Sequence, residues 1–225
     1  MIKYQKSLSD YKYIISFDLA KNLTGYSLID YHNHKVLHAG VIDMSKSTCE
    51  SFWYAYAAAL RSALGQCLNA LPRPLRKSEV FITKEKLPNQ SGRFSSIEAL
   101  QALAQCHAIF DLVVYDYGVD VYDFDGVHSV SVKAHFKHLT GMDKPSKEDI
   151  AQYISKQFCF DISNYTLDVT DSIAVAMTLV DVKYNKDIDD RIKEIKKALK
   201  QYKSQNKINE LNNDIALLSS LKIKE

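Results

Sequence analysis

The sequence predicts an α/β domain with a mixed five-stranded sheet flanked by helices, followed by a C-terminal helical extension. Three segments rich in aromatic and β-branched residues open the chain with tight connections, which indicates an antiparallel meander. These segments are Tyr11–Leu19, Thr24–Tyr31 and Lys35–Ile42. Strands and helices then alternate, which is typical of a mixed sheet with helices on both faces.

Residues Ser47–Leu71 have apolar residues at helical spacing, and Pro72 and Pro74 end that helix. A fourth strand is predicted over Glu79–Thr83 and a loop over Pro88–Ser95. Ser95 or Ser96 is a suitable cap for a helix that reaches about Leu112.

The fifth strand is predicted over Val119–Phe124, and helices follow over Ser129–Leu139 and Ser146–Phe158. Ser146 is suited to cap the latter helix because acidic residues occupy its first turn. A last core helix is predicted over Thr170–Lys183, with apolar residues along one side.

The composition changes near Lys183, which predicts a core domain over residues 1–184 and an extension over 185–225. Residues 183–225 carry 11 Lys and Arg against 7 Asp and Glu, and they lack Gly and Pro. Two heptad-like stripes separated at Ser204-Gln205-Asn206 predict two helices, folded as a hairpin or joined as a kinked arm. Because the stripes are apolar and the lysines alternate with acids, packing or dimerisation is favoured over direct DNA contact. The stripes comprise Ile188, Ile192, Ile195, Leu199 and Tyr202, and then Ile208, Leu211, Ile215 and Leu218.

The overall composition is that of an ordinary globular protein. The 225 residues are 46% hydrophobic and 25% charged, with a formal net charge of +2, so no global charge indicates a nucleic-acid or membrane partner. Apolar runs are shorter than the roughly 20 residues that span a bilayer. The polar N-terminus lacks a secretion signal, and the four scattered cysteines are typical of reduced thiols, so we expect a cytoplasmic protein.

Four carboxylates lie at predicted strand or helix ends: Asp18, Glu85, Asp168 and Asp171. Singly, each is more often a cap or an exposed charge than a catalytic group. Together, hard oxygen ligands from separate elements are what Mg²⁺ or Mn²⁺ requires, and two such ions support phosphodiester hydrolysis. The spacing alone does not show that the four converge.

The run Ile14–Ile29 resembles the opening motif of RuvC-type Holliday-junction resolvases, in the RNase H-like superfamily. In that motif a strand ends in a catalytic Asp, here Asp18, and a Thr-Gly-Tyr begins the next strand, here at Thr24. Residues Leu167–Ala176 resemble the closing motif, in which two Asp three apart open the last core helix. The resemblance spans about residues 11–184. It implies an RNase H-like fold, two Mg²⁺ or Mn²⁺ ions per site held by the four carboxylates, and a homodimer that nicks symmetric strands of a four-way DNA junction.

The resemblance also implies roles for several basic residues. Ser131-Val132-Lys133 and Lys147 resemble the two basic positions near the scissile phosphate, although singly such lysines are usually solvated. Phosphate contacts are expected from loop residues near the predicted site, and Phe94 is a candidate for stacking on junction bases. The loop residues are Lys21, Lys86 and Arg93.

The chain departs from the family pattern in three places. Leu19-Ala20 replaces the usual Pro-Gly after the first Asp. The second acid falls at Lys84 or Glu85 depending on register, and Glu85 is chosen because a lysine does not bind a cation. The tail is longer than in bacterial members, which indicates a divergent branch, acting in a bacterial cytoplasm or, if viral, in that of the host.

Three rival functions remain open from the sequence. Lys84 leaves room for a junction-binding or assembly protein whose catalytic site has decayed. An RNA/DNA-hybrid nuclease would use the same fold and metals. An actin-like ATPase also begins with a strand and an Asp, but the chain is short for that duplicated fold and lacks a second Gly-rich phosphate loop.

Overall fold

A computed structural model describes residues 12–47, 50–72, 79–87, 96–117, 126–199 and 205–221. The contacts within this part of the chain divide it into two compact units. The first unit ends at Thr178 and the second continues from Leu179. The first unit contains the sheet and every described residue that the sequence nominated for a site.

The sheet of the first unit has four strands in the order β3-β2-β1-β4. The strands are β1 (Tyr13–Asp18), β2 (Leu23–Asp30), β3 (Lys35–Asp43) and β4 (Val80–Lys84). Strands β1, β2 and β3 pair antiparallel, which confirms the predicted meander. Strand β4 lies parallel to β1, so the carboxyl ends of these two strands meet at one edge of the sheet.

The predicted fifth strand, Val119–Phe124, lies outside the described residues. Just beyond it, Val127 forms an isolated parallel bridge with Glu85. Its amide donates to the Lys84 carbonyl at 3.3 Å, and its own carbonyl accepts from the Lys86 amide at 2.8 Å. The chain entering α3 is therefore hydrogen-bonded alongside the end of β4.

Four helices follow the predicted pattern with shifted ends: α1 (Phe52–Ala70), α2 (Ile97–Asp116), α3 (Ser129–Thr140) and α4 (Lys147–Phe158). The Ser96 side chain caps α2, as predicted, by accepting from the Ala99 amide. Ser146 and Asp149 form a reciprocal capping box at the start of α4. The starts set by local capping chemistry were therefore predicted well.

One face of the sheet packs on α1 and α2. Its core combines alternate residues of the strands with the buried sides of both helices. The core includes Tyr13, Ile15, Phe17, Tyr26, Leu28, Val80, Ile82, Tyr56, Leu60, Leu64, Cys106, Phe110 and Val113. By length and composition alone α2 is apolar enough to cross a membrane, the one such helix among the described residues. Here it contributes Cys106, Phe110, Val113 and Val114 to this core.

Helix α5 runs from Leu167 to Leu199, and α6 from Gln205 to Leu221. The predicted end of a core helix at Lys183 is therefore wrong. The change of composition there brings no Gly or Pro, so nothing in the sequence breaks the helix. The predicted start of a second tail helix is close to the observed start of α6. Ile188 and Ile192 are buried in the second unit, as their apolar stripe predicts.

Candidate active site

Asp18 and Glu85 meet where β1 and β4 end. Asp18 is the last residue of β1, and Glu85 directly follows β4. The Glu85 amide donates to the Phe17 carbonyl at 3.1 Å, which continues the parallel pairing by one residue. Both residues are half-buried, and the Glu85 side chain lies close enough to Asp18 for its charge to act on that carboxyl group.

The register of β4 against β1 places Lys84 and Glu85 on opposite faces of the sheet. Lys84 forms an ion pair with Asp111 of α2, and its ammonium lies 5.3 Å from the centroid of the Phe110 ring. Only 14% of the Lys84 side chain is exposed. Because side chains alternate across a strand, Glu85 lies on the opposite face, the face that also bears Asp18. The geometry therefore places Glu85, and not Lys84, on the same face of the sheet as Asp18.

Asp168 and Asp171 come from the start of α5. Asp168 lies in its first turn and Asp171 one turn further along, both half-buried. Their charges interact with each other, and Asp171 also interacts with Asp18. The structure therefore links the four nominated carboxylates through successive charge interactions, Glu85 with Asp18, Asp18 with Asp171 and Asp171 with Asp168, from three elements of one unit.

A glycine allows α5 to approach the sheet this closely. Gly25 of β2 is the cross-strand partner of Asp18. A Cβ at Gly25 would lie 1.9 Å from the Asp168 carbonyl oxygen and 2.9 Å from the Val169 amide nitrogen. Any side chain at this position would overlap the backbone of the turn that carries Asp168.

Buried hydroxyls link the same elements. The Ser16 hydroxyl lies 2.6 Å from the Ser172 carbonyl oxygen and 2.9 Å from the Ser27 hydroxyl. A carbonyl has no proton, so Ser16 must donate to Ser172, which leaves Ser27 to donate to Ser16. Ser16 lies two residues before Asp18, and Ser172 lies one residue after Asp171. This pair of bonds therefore fixes β1 against α5 close to both acids.

Two lysines lie beside the carboxylates. Lys147, the first residue of α4, forms an ion pair with Asp171. Burial by itself would lower the pKa of Lys147, but the hydrogen bond and charge of Asp171, with Asp18 and Asp168, raise it. Lys133 of α3 is exposed, and its charge also acts on Asp171.

The burial and crowding of these acids raise the pKa values of two of them. Burial raises the pKa of Asp18 well above its usual range, and the charge of Glu85 raises it further. Burial also raises the pKa of Asp171, against the opposing effect of Lys147. A divalent cation among the carboxylates would favour their ionised forms and relieve this repulsion.

The chemistry of the donors fits Mg²⁺ or Mn²⁺, because all four are carboxylates from a half-buried cluster. Within the described ranges, no three Asp, Glu, His or Cys side chains already surround a common point as metal ligands do. Asp171 is instead paired with Lys147, and Glu85 lies close enough to Asp18 for its charge to act on that carboxyl group. A cation would replace these partners rather than enter a finished cage.

The remaining nominated residues divide into two groups. Lys21, in the turn after Asp18, is exposed, and its ammonium lies 5.6 Å from the centroid of the Phe52 ring. Lys86 is half-buried beside Glu85. Arg93 and Phe94 lie outside the described residues.

The chain resembles known proteins in structure but not in sequence. No family model matches the chain, and no curated protein matches its sequence significantly. Among solved structures, T. thermophilus RuvC in complex with a Holliday junction substrate matches with a TM-score of 0.55 and 14% identity. The fold is RuvC-like. The match covers 78% of this chain and 96% of the RuvC chain.

Sequence reasoning missed several residues that fix the elements of the candidate site against one another. The sequence analysis does not nominate Gly25, Ser16 or Ser27 for the site. One signal was available, because a serine inside the apolar strand Ile14-Ile15-Ser16-Phe17 needs a buried partner. The identity of that partner, 156 residues away in sequence, is visible only in the fold.

Proposed function

We propose that this protein is a divalent-metal-dependent DNA endonuclease that cuts four-way junctions or related branched DNA. The observation that carries the proposal is the meeting of Asp18, Glu85, Asp168 and Asp171 beside Lys147 in a RuvC-like fold. Clustered carboxylates would be unfavourable without a cation, and phosphodiester hydrolysis is a reaction that uses cations held in this way.

The four carboxylates would hold two Mg²⁺ or Mn²⁺ ions. When bound, such ions activate water and stabilise the charge that develops on the leaving oxygen. Asp18 is suited to a ligand role because its strand is central in the sheet and paired on both sides, which fixes its backbone. Asp168 and Asp171 present their carboxylates from a helix start that is already seated against that sheet.

Lys147 and Lys133 would act on the phosphate. In the free protein Lys147 neutralises Asp171. With cations on the carboxylates, its ammonium becomes available to the scissile phosphate, where a positive charge stabilises the transition state. Water attacks phosphorus, the bond to the 3′ oxygen breaks, and the products carry a 5′-phosphate and a 3′-hydroxyl.

DNA contacts beyond the reacting phosphate are assigned to loop residues next to the site. Lys21 and Lys86 would bind backbone phosphates, and Arg93 and Phe94 complete the proposed contact set. With a formal net charge of only +2, the affinity has to come from such a local patch.

Paired nicks on opposite strands require two active sites, so we propose a homodimer. Apolar surface for assembly is present on the first unit: Ile97, Leu112 and Tyr115 of α2 are 72%, 59% and 79% exposed. Sedimentation at micromolar concentration, with and without a four-way junction, tests the stoichiometry. A monomer in both conditions would contradict the dimer without affecting the chemistry of the site.

The deciding experiment is cleavage of a labelled four-way junction with Mg²⁺, Mn²⁺ or EDTA, beside linear duplex and an RNA/DNA hybrid. We expect paired symmetric nicks on the junction that EDTA abolishes. Asp18→Asn should reduce the rate at least 100-fold because the variant lacks a charged ligand. Asp116→Asn is the matched control, since Asp116 is an exposed acid at the end of α2 that pairs with Arg61.

Each rival gives a distinct result in the same assay. Junction binding without metal-dependent nicking would replace the nuclease with a binding or assembly protein. Cleavage of the hybrid alone would replace the substrate. Full activity of Asp18→Asn would refute the assigned site.

A further inference from the structure

The turn that follows Asp18 is held by the hydroxyl group of one side chain, in addition to the bond from the Met44 amide to the Asn22 carbonyl at 2.7 Å. Thr24, near the start of β2, is buried, and its Oγ1 lies 2.8 Å from the Ala20 carbonyl oxygen and 3.1 Å from the Ala20 amide nitrogen. Both polar groups of Ala20 are thus satisfied by one side chain four residues further on. This closes the turn between β1 and β2 locally.

A third partner anchors that hydroxyl in the core. Tyr56 of α1 is completely buried, and its hydroxyl lies 2.9 Å from Thr24 Oγ1. The Ala20 carbonyl has no proton, so Thr24 must donate its own proton there, and Tyr56 must donate to Thr24. The bonds therefore run in one direction, from the Tyr56 hydroxyl to Thr24 and from Thr24 to the Ala20 carbonyl.

The turn carries two residues of the proposed chemistry. Asp18 precedes it, and Lys21 lies within it with its ammonium above the Phe52 ring of α1. Asp18 is also close enough to Tyr56 for its charge to act on the phenol. Asp18 and Lys21 thus both lie close to side chains of α1, a helix that contributes no carboxylate to the site.

We propose that Thr24 and Tyr56 are positioning residues that set the orientation of the Asp18 carboxylate for metal binding. The inference rests on the proposed function. Both side chains act through the backbone of the turn. Groups that hold a metal ligand commonly change metal affinity 10- to 100-fold when removed, because the ligand then samples unproductive orientations.

The chain allows closely matched variants. Thr24→Val removes the hydroxyl and keeps the shape, Thr24→Ser keeps the hydroxyl and removes a methyl group, and Tyr56→Phe removes only the phenolic oxygen. A purely structural role predicts that loss of function follows loss of stability in all three. A positioning role predicts that function is lost in the variants without the hydroxyl group and kept in Thr24→Ser, which retains it.

Two readouts separate these cases. Mn²⁺ affinity is measured without DNA by electron paramagnetic resonance of free Mn²⁺, and single-turnover junction cleavage is measured against Mn²⁺ concentration. We expect Thr24→Val and Tyr56→Phe to weaken Mn²⁺ binding and cleavage at subsaturating Mn²⁺ about 10-fold or more. Thr24→Ser should stay within threefold of wild type, and junction affinity in EDTA should change less than threefold throughout.

Wild-type Mn²⁺ affinity in both Thr24→Val and Tyr56→Phe would overturn the inference, as would equal losses in Thr24→Val and Thr24→Ser. These results leave the proposed function intact if wild type cleaves and Asp18→Asn does not. If wild type neither binds Mn²⁺ nor cleaves, the proposed function fails, and the inference that rests on it fails too.

Discussion

Replacing Gly25 with alanine should displace one of the four carboxylates by a predictable distance. The added Cβ would lie 1.9 Å from the Asp168 carbonyl oxygen, whereas an ordinary contact begins at 3.4 Å. The gap to be opened is therefore about 1.5 Å, and the facing atoms are backbone, which cannot rotate away. The first turn of α5 has to move or unwind.

A displacement of this size is large compared with the tolerance of a metal site. Misplacing a reacting group by about 1 Å typically costs on the order of 100-fold in rate. We therefore expect single-turnover junction cleavage by Gly25→Ala to fall at least about 100-fold. Overpacking should also lower the free energy of unfolding by about 1–3 kcal/mol, measured by urea denaturation.

Gly65→Ala is the matched control. Gly65 lies within α1, where a new Cβ would meet, among the described residues, only the Tyr117 hydroxyl, at 3.4 Å. Alanine is the better helix former, so this variant should gain about 0.5–1 kcal/mol and keep full activity. Wild-type cleavage and stability in Gly25→Ala would refute the claim that this contact sets the position of Asp168.

Three further outcomes follow from the contacts described. Lys147→Met should raise the pKa of Asp171, because the Lys147 ammonium lowers it. The acidic limb of the pH–rate profile of junction cleavage should therefore move to higher pH, and an unmoved limb would contradict the coupling. Ser16→Ala should lower the free energy of unfolding by about 1–3 kcal/mol in urea denaturation, because its buried bonds to Ser27 and to the Ser172 carbonyl are lost. Burial lowers the pKa of His107 to about 4, with a smaller contribution from a nearby lysine. The unfolded chain therefore binds more protons than the folded one between about pH 6.5 and 4. As the pH falls through that window, the free energy of unfolding should decrease by up to about 3 kcal/mol. His107→Gln should flatten this dependence on pH.

The sequence predicted features that depend on neighbouring residues. The strands of the meander are close in sequence and are joined by short turns, so their pairing is a local feature. The start of α4 is encoded by Ser146 and Asp149, three residues apart. The sequence does not predict the length of α5, for a related reason: the change in composition at Lys183 indicates a boundary, but only a helix breaker or a cap would end the helix.

The candidate site was harder to predict because its geometry is nonlocal. Whether Lys84 or Glu85 faces Asp18 depends on the register of β4 against β1, which no local pattern encodes. The approach of α5 depends on the absence of a side chain at Gly25. Residue types nominated the acids, but only the pairing of distant segments explains their arrangement.

The parallel pairing of β1 with β4 has a kinetic consequence. Strand β1 is complete by residue 18, but its parallel neighbour starts at Val80, and Asp168 and Asp171 come later still. Contacts between such distant segments form late, because a long loop must close before they contribute stability. The proposed nuclease activity should therefore be among the last properties regained on refolding. A growing polypeptide that ends before α5 would lack two of the four acids, so the proposed ability to cut DNA would arise only after most of the chain has been made.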